Sequence, residues 1–301
     1  MKNFDVIILT DDRYVENSST DVYYQNVYIE DDLVKKALER LDLKVDRKSW
    51  SDPNFDWSST KYVLFRTTWD YFDRFAEFSV WLEGISKVTK LLNSEDLIRW
   101  NIDKHYLRDL QKKGVHICET YFVEIGAQTT LKELHQQYNL DDFVLKPCIS
   151  GAARHTYKIR PEEIDKHEAI FQELIAQEAM ILQPFQHNIV SKGELSLMVM
   201  NGNYTHGILK IAKEGDFRVQ DDYGGSVHDY QATAEEIAYA EHAVKSCPEM
   251  PIYARVDVFL DNQNKLALAE LELIEPELWF RNHPEAADEL AKGIAQLIRI
   301  N

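Results

Sequence analysis

Cysteine and long apolar runs are scarce in this 301-residue sequence, and each scarcity excludes a class of protein. The cysteines are Cys118, Cys148 and Cys247, an odd number without the spacing of a metal site. No disulfide framework is therefore implied, and reduced thiols in a reducing compartment are expected. No apolar stretch approaches the length of a membrane span, and the sequence has no internal repeat or low-complexity tract. We expect a globular protein without membrane contact.

Positive charge is also in short supply. The 34 Lys and Arg residues face 51 Asp and Glu residues, for a formal net charge of -17. This balance repels phosphate backbones and argues against general binding to nucleic acid or anionic membranes, so anionic ligands need local basic pockets. Residues 1–9 meet Asp11 and Asp12 too soon for a secretory signal, which predicts a cytoplasmic location. The length predicts about two or three subdomains.

The first segment alternates strands and helices. Residues 4–9 and 62–65 have the apolar composition of buried strands. Residues 30–41 show helical spacing, with Asp31 and Asp32 near the expected start, and a second apolar helical stripe spans residues 75–85. This alternation predicts an α/β unit with a parallel, doubly wound sheet.

A polar loop with aromatic residues follows the strand at residues 62–65. Doubly wound sheets bind ligands at the carboxyl ends of their strands, where this loop falls. The alternative is an ordinary polar loop with a packed Trp. If the loop does bind a ligand, its candidate substrate residues are Arg66, Trp69, Asp70 and Tyr71.

The second unit, predicted to begin near residue 93, contains a lysine followed by a loop of small residues. Residues 143–147 form a predicted strand carrying Lys146, and residues 157–159 are its predicted hairpin partner. A strand, a lysine and a small-residue loop can hold phosphates through backbone N–H groups and positive charge. Small residues mark ordinary loops more often. A helix is expected at 101–113, an extended segment at 119–124, a capping box at Thr130, and a helix from Pro161 to about residue 177.

The third unit is predicted to be rich in antiparallel strands. Residues 180–185 read as a strand stopped by proline, and the Asn201-Gly202 pair predicts a tight turn between strands 194–200 and 204–210. Thr233 has the capping-box spacing of a helix start, and Pro284 opens a final helix.

An acidic hairpin is the strongest pattern in the third unit. Residues 255–258 and 270–276 alternate polar and apolar side chains, as half-buried strands do. If residues 262–265 form the loop, Asp261 pairs with Leu266 and Asp257 with Glu270, and Glu272 lies one pleat further on the same face. Neighbouring carboxylates repel unless a cation lies among them, and Mg²⁺ prefers oxygen ligands. The alternative is a solvated acidic face.

Taken in chain order, the motifs are Lys104, Lys146 with its loop, Gln183-Pro184-Phe185, Gly193-Glu194, Arg218 with Gly224-Gly225, Asp257, and Glu270-x-Glu272. Together they resemble the ATP-grasp superfamily, and most closely the group with bacterial glutathione synthetase and the D-cycloserine-forming cyclo-ligase. The resemblance covers about the last two-thirds of the chain, and the first segment fits the family's Rossmann-like pre-ATP-grasp domain. Glutathione synthetases have Asn in place of Glu272, and relatives often have an acid in place of Gln183.

The resemblance implies an ATP site with two Mg²⁺ ions, which Mn²⁺ can replace. In it, lysines reach the phosphates, a loop closes over them, backbone groups meet the adenine, and a glutamate meets the ribose. The implied nucleotide ligands are Lys104, Lys146, Ser150, Gly151, Ala152, Gln183, Pro184, Phe185 and Glu194, and the implied metal ligands are Asp257, Glu270 and Glu272.

The implied activity is an ATP-dependent carboxylate–amine ligase with an acyl-phosphate intermediate and a small amino-acid-like substrate. Arg218, Arg255 and the Gly224-Gly225 turn would stabilise the transferred charge, and Glu275 would join the substrate residues. Joining two molecules and closing a ring both stay open. The alternatives are a phosphotransferase on the same fold and a non-catalytic ATP sensor. The expected domains are residues 1–92, 93–179 and 180–301, and a homodimer is compatible with the resemblance.

Overall fold

The computed structural model describes residues 2–17, 19–151, 154–215, 219 and 224–300. Within them lie three β-sheets with helices packed against them. None of the helices in these ranges combines the length and apolarity needed to cross a membrane. The strands are β1 Phe4–Thr10, β2 Val45–Ser49, β3 Thr60–Thr67, β4 Lys90–Leu92, β5 Tyr121–Val123, β6 Phe143–Pro147, β7 Tyr157–Ile159, β8 Met180–Pro184, β9 Glu194–Met200, β10 Asn203–Ile211, β11 Ser226–Tyr230, β12 Tyr253–Leu260 and β13 Leu266–Glu272. The helices are α1 Val22–Glu39, α2 Phe75–Ser86, α3 Glu95–Ile102, α4 Tyr106–Lys112, α5 Leu131–Tyr138, α6 Ile164–Ile175, α7 His187–Lys192, α8 Ala234–Lys245 and α9 Glu285–Ile300.

The N-terminal sheet is parallel, with strand order β2-β1-β3-β4. One face packs its apolar side chains against α2, and the other packs against α1 and α9. Burial on both faces explains why β1 and β3 are almost continuously apolar. The predicted α/β class and parallel sheet are confirmed, and the carboxyl ends of β1 and β3 share one edge.

Helix α1 begins earlier than predicted. It starts at Val22, capped by the Asp21 side chain, which accepts a hydrogen bond from the backbone N–H of Tyr23. The predicted start at residue 30 is wrong because Asp31 is not a first-turn acid. Asp31 lies in mid-helix, buried against Arg47, whose Nε is 2.6 Å from its carboxylate.

The predicted helix at 101–113 is two helices, α3 and α4. The break between them contains Lys104, whose backbone N–H donates to the carbonyl of Cys148 at 2.9 Å. Because the chain leaves the helix here, Lys104 turns towards the loop that follows β6 instead of lying on a solvated helix face.

The second sheet has order β5-β8-β6-β7, and the third has order β11-β10-β9-β12-β13. The predicted strand at 143–147 and its partner at 157–159 are confirmed. The turn at Asn201-Gly202 is also confirmed, with φ values of 54° and 79°. Both capping boxes, at Thr130 and Thr233, form as expected.

The sheets and hydrophobic cores of the structure do not separate at the predicted domain bounds. Strand β8 pairs with β5 and β6, so the bound at 179/180 cuts the second sheet. Side chains of α3 and α4 share a core with β9, β12, β13 and α8 of the third sheet. The second core consists of residues from 123 to 182. Sequence proximity assigned α3 and α4 to the second unit, whereas burial assigns them to the third.

The acidic hairpin has the predicted pairing at its functional end and a different one near its loop. Leu260 pairs with Leu266, one position away from the predicted partner of that residue. A bulge after Asp257 then adds one residue on β13, and Asp257 pairs with Glu270 as predicted. The error near the loop and the unpredicted bulge cancel each other.

Candidate active site

A cavity of about 530 Å³ is lined by side chains of the second and third sheets and by residues from the segments that follow β1 and β3 of the N-terminal sheet. This volume is within the range of small-molecule and cofactor sites. Most of the residues predicted from the sequence to bind ligands line it. They are Trp69, Tyr71, Lys104, Lys146, Ser150, Gly151, Gln183, Pro184, Phe185, Glu194, Arg255, Asp257, Glu270, Glu272 and Glu275.

The acidic hairpin forms one wall of the cavity. Asp257 pairs across the strands with Glu270, and Arg255 pairs with Glu272, so the carboxylates gather on one face. Ser196 on β9 donates a hydrogen bond to Asp257 Oδ1 at 2.5 Å. The hairpin therefore presents three carboxylates to the cavity, the ligand type that hard cations prefer.

Each of these carboxylates is ion-paired to a basic side chain. Lys104 Nζ lies 2.8 Å from Glu270 Oε1. Arg255 binds both Asp257, at 2.9 Å, and Glu272. The Arg255 guanidinium also lies 5.3 Å from the ring centre of Trp279, which supports it from beside the strands. The cluster is thus held together by charge compensation.

Lys210 is a further cation of this cluster. Its Nζ lies 2.6 Å from Glu194 and 3.4 Å from Asp257. From the sequence, Lys210 is the last residue of the predicted strand 204–210 and has no assigned role, although it lies directly opposite Glu194 in the sheet. A bulge between Tyr204 and His206 creates this register, and the turn at Asn201-Gly202 alone would predict a different partner.

The surroundings lower the pKa values of two acids of the cavity and raise those of two others. Burial is the largest influence on Asp257 and Glu270 and raises the pKa of each, but Arg255 with Lys210 at Asp257, and Lys104 with Lys146 at Glu270, together make the net shift of both pKa values downward. At Glu272 burial prevails over Arg255, and with the negative charge of Asp257 it raises the pKa to about 7. Burial, followed by the charge of Glu272, raises the pKa of Glu275 to about 8.

Lys146 reaches the same cavity from β6. Burial lowers its pKa, and the charge of Glu270 opposes that shift. The next loop approaches closely: a Cβ on Gly151 would lie 2.6 Å from a ring carbon of Phe72, so only glycine fits without displacing the ring. Lys104 Nζ donates to the backbone carbonyl of Ser150 at 2.9 Å, which ties this loop to the break before α4.

The segment predicted to meet the adenine edge, residues 183–185, also lines the cavity. The backbone N–H of Phe185 donates to Asp142 O at 2.8 Å, so this donor is already used within the protein. The Gln183 side chain donates to Thr120 Oγ1 at 2.8 Å. The ring of Phe185 lies 3.7 Å from Lys158 Nζ and forms part of the cavity wall.

Aromatic residues from α1 and from the segments that follow β1 and β3 form another part of the cavity lining. Trp69 Nε1 donates to the Glu275 carbonyl at 2.8 Å, which joins the segment after β3 to the segment after β13. The rings of Tyr14 and Tyr23 lie 5.6 and 6.0 Å from that of Trp69. Burial, and then the charge of Glu275, raises the pKa of Tyr71. Tyr14, Tyr23 and Asn101 were missed from the sequence, because a lone polar or aromatic side chain carries no local signal.

Two predicted substrate residues lie outside the cavity, which corrects the expectation for both. Arg66 is buried, donates to Pro276 O at 3.1 Å and lies 3.7 Å from Asp31, so its charge balances a buried acid. Asp70 accepts hydrogen bonds from Trp50 Nε1 and Arg74, both at 2.7 Å. Their position in the loop after β3 was right, but their side chains point into packed surroundings.

The remaining predicted site residues are Gly224 and Gly225, which form the predicted turn, and Ala152 and Arg218. Gly224 has a φ of 84°, a conformation that suits glycine, but neither it nor Gly225 is among the residues lining the cavity. Ala152 and Arg218 lie outside the described residues.

A RimK-like ATP-grasp domain matches residues 109–275, more than half of the chain, and the N-terminal domain of D-cycloserine synthetase matches residues 6–93. The chain therefore belongs to the ATP-grasp family and is an ATP-dependent ligase.

The chain is also similar to individual ATP-grasp proteins. The cycloserine biosynthesis protein DcsG of Streptomyces lavendulae is 30% identical over 267 residues, which cover 83% of this chain and 87% of the relative. The crystal structure of D-cycloserine synthetase DcsG covers 97% of this chain and 99% of its own, with a TM-score of 0.84 and 25% identity. The ligase PsnB, solved with a minimal precursor, Mg and ADP, shares the fold, with a TM-score of 0.62 and 13% identity over 98% of this chain and 99% of its own.

Proposed function

We propose that this enzyme activates the carboxylate of a small amino-acid-like substrate as an acyl phosphate and transfers the acyl group to an amine. The observation that carries the proposal is the division of one cavity into two parts. Three carboxylates and three lysines or arginines gather at the acidic hairpin, and an aromatic pocket with Glu275 lies beside them. The first part suits phosphoryl transfer and the second suits an amino acid.

The acidic hairpin fits a magnesium site. Asp257, Glu270 and Glu272 supply hard oxygen ligands from adjacent strands, and their pairing with basic side chains shows that the cluster needs compensating charge. We propose that they hold two Mg²⁺ ions, for which Mn²⁺ can substitute. When bound, such ions neutralise charge on the phosphates as the γ-phosphoryl group moves.

The basic side chains then have phosphates as partners. Lys104 and Lys146 are point charges near the Ser150 loop and would bind the phosphates, while Glu194 would accept hydrogen bonds from the ribose. Arg255, supported by Trp279, would face the oxygens of the acyl phosphate and of the tetrahedral centre that follows. The roles predicted for Arg218, Gly224 and Gly225, and for the Gln183–Phe185 backbone at the adenine, stay predictions.

The substrate proposal depends on the pocket beside Trp69. Glu275 and Tyr71 offer oxygen atoms to an ammonium group, and the aromatic wall can cover a small aliphatic body. An amino-acid-like substrate also agrees with the synthetase names of the relatives, one of which makes D-cycloserine.

A screen for ADP release with pairs of amino acids, followed by mass spectrometry, tests this function. We expect Mg²⁺-dependent ADP release and a product whose mass is that of the substrates less one water. A stable phosphorylated product would instead indicate a phosphotransferase. ATP binding without ADP release across the panel would indicate a sensor and would contradict the proposal.

A further inference from the structure

Arg13 is a cavity residue that has no part in the nucleotide or metal site. It lies in a short helical turn, Asp12–Tyr14, directly after β1, where the parallel sheet opens towards the cavity. We propose that Arg13 binds a free carboxylate on the amine-donating substrate, so that the acceptor is itself an amino acid. This inference rests on the ligase function proposed above.

The Arg13 side chain is anchored and yet accessible. Its Nε and Nη2 donate to the two oxygens of Asp11 at 3.1 and 2.6 Å, and the Asp11 side chain is only 1% exposed. Arg13 itself keeps a side-chain exposure of 51%. A guanidinium has five N–H donors, and this contact uses one edge of the fork. The other edge can bind a carboxylate in the same planar, two-point geometry.

The position of Arg13 separates it from the other cations of the cavity. Lys104, Lys210 and Arg255 are paired with the acids of the hairpin and its neighbour Glu194. Among the cavity residues that the structure describes, Arg13 is the cation contributed by the segment after β1. A ligand carboxylate bound there would not compete for the cations that pair with the hairpin acids and Glu194.

The surroundings of Arg13 match an amino acid. Its guanidinium lies 5.3 Å from the ring centre of Tyr14, which in turn contacts Trp69 edge-on. Trp69 donates to the backbone of Glu275, whose carboxylate also lines the cavity. The pocket therefore offers a cation for a carboxylate, an aromatic wall for the body of an amino acid, and the side-chain oxygens of Glu275 as hydrogen-bond partners for its ammonium group.

This assignment distinguishes ligation from ring closure. A single amino acid that cyclises through its only carboxylate uses that group in the new amide, so Arg13 would have no carboxylate to hold. An acceptor amino acid attacks through its amine and keeps its carboxylate. The Arg13 site therefore predicts a product that retains a free carboxylate.

The test compares acceptors that differ in the carboxylate alone. Glycine and both enantiomers of alanine and serine are compared as acceptors with their carboxamides, with ADP release and product mass as readouts. We expect the wild type to prefer the carboxylates. Arg13→Gln should raise the KM for carboxylate acceptors about tenfold to a hundredfold, the loss expected for a charged hydrogen-bonded contact. The KM values for carboxamides and for ATP should not change, and Arg13→Lys should be intermediate.

Arg74→Gln is the matched control, because Arg74 belongs to the same unit but pairs with Asp70 and Glu77 outside the cavity. An equal loss for carboxylates and carboxamides in Arg13→Gln, or no change, would overturn the inference and leave the ligase function standing. A ring product from a single substrate would do the same. If the wild type releases no ADP with any pair of amino acids, the proposed ligase function itself would be contradicted.

Discussion

At the scale of single residues, the site is a set of buried acids whose charges are balanced before any ligand binds. Lys104, Lys210 and Arg255 contact Glu270, Glu194 and Asp257 within 3.0 Å, as close as strong charge-assisted hydrogen bonds. Removing one partner from a buried pair is costly, since the other charge is left uncompensated. The same cations can exchange their carboxylate partners for phosphates when metal ions take the carboxylates.

The metal proposal is tested by the double variant Glu270→Gln and Glu272→Gln. We expect turnover to fall more than about a hundredfold, because several kcal/mol of charge stabilisation in the transition state is lost. Circular dichroism should show an unchanged fold. The double variant Glu285→Gln and Glu289→Gln on α9, outside the cavity, is the control. Unchanged turnover in the first variant would eliminate the metal role of the hairpin.

Glu275 predicts a pH dependence of stability. Its pKa is raised to about 8, mainly by burial, from an ordinary value of 4.5. Between these values the folded state binds more protons than the unfolded state, so the free energy of unfolding falls as pH rises from about 4.5 to about 8. Denaturant titrations should show a shallower decline in Glu275→Gln than in the wild type. A parallel decline in both proteins would show that Glu275 does not cause it.

At the scale of secondary-structure elements, two loops interlock over the cavity. Gly151 follows β6, and Phe72 follows β3, and a Cβ at position 151 would overlap the Phe72 ring. We predict that Gly151→Ala raises the KM for ATP about tenfold, within the cost of overpacking by one carbon. Adding Phe72→Leu should recover most of the affinity. The melting temperature should change little in either variant, because residue 151 lies in a loop outside the hydrophobic cores.

The double variant also tests whether contact with Phe72 is the reason that position 151 requires glycine. If Phe72→Leu does not restore ATP affinity in the Gly151→Ala background, backbone access of phosphate at Gly151 rather than contact with Phe72 sets the requirement for glycine. Gly126→Ala is unsuitable as a control, since Gly126 has a φ of 74°, whereas Gly84→Ala on α2 meets no neighbouring atom and serves that purpose.

The elements also show how far the sequence predicts the site. Strands with clear alternation, tight turns and capping boxes were predicted, because their signals are local. The bulges after Asp257 and at Thr205 were not, since a bulge depends on which residues of two strands meet. The second bulge places Lys210 opposite Glu194, so the missed geometry and the missed residue have one cause.

At the scale of the whole molecule, the cavity forms where the second sheet and the segments that follow β1 and β3 meet the acidic hairpin of the third sheet. The N-terminal sheet is attached to the segment after β13 through Trp69 and through Tyr253, whose hydroxyl donates to Ile274 O at 2.6 Å and lies 3.1 Å from Phe65 O. Such contacts between distant segments explain why Arg66 and Asp70 were misplaced from the sequence. Their loop was identified, but the direction of each side chain depends on partners such as Pro276 and Trp50.

The whole-molecule charge gives the cavity its selectivity. A chain with a net charge of -17 repels anions over most of its surface, and among the residues that the structure describes five basic and six acidic side chains line this cavity. The basic side chains can attract the nucleotide and the substrate carboxylate once the proposed metal ions occupy the acids, and positioning and charge compensation would then supply most of the catalysis.

The most direct test of the central claim follows an oxygen atom. A substrate with heavy-oxygen label in its carboxylate is incubated with enzyme, ATP, Mg²⁺ and the amine, and the released phosphate is analysed by mass spectrometry. An acyl phosphate requires that one labelled oxygen leaves the carboxylate with the phosphate, and the account predicts this transfer. Phosphate that carries no label from the carboxylate, while the amide still forms, would contradict it.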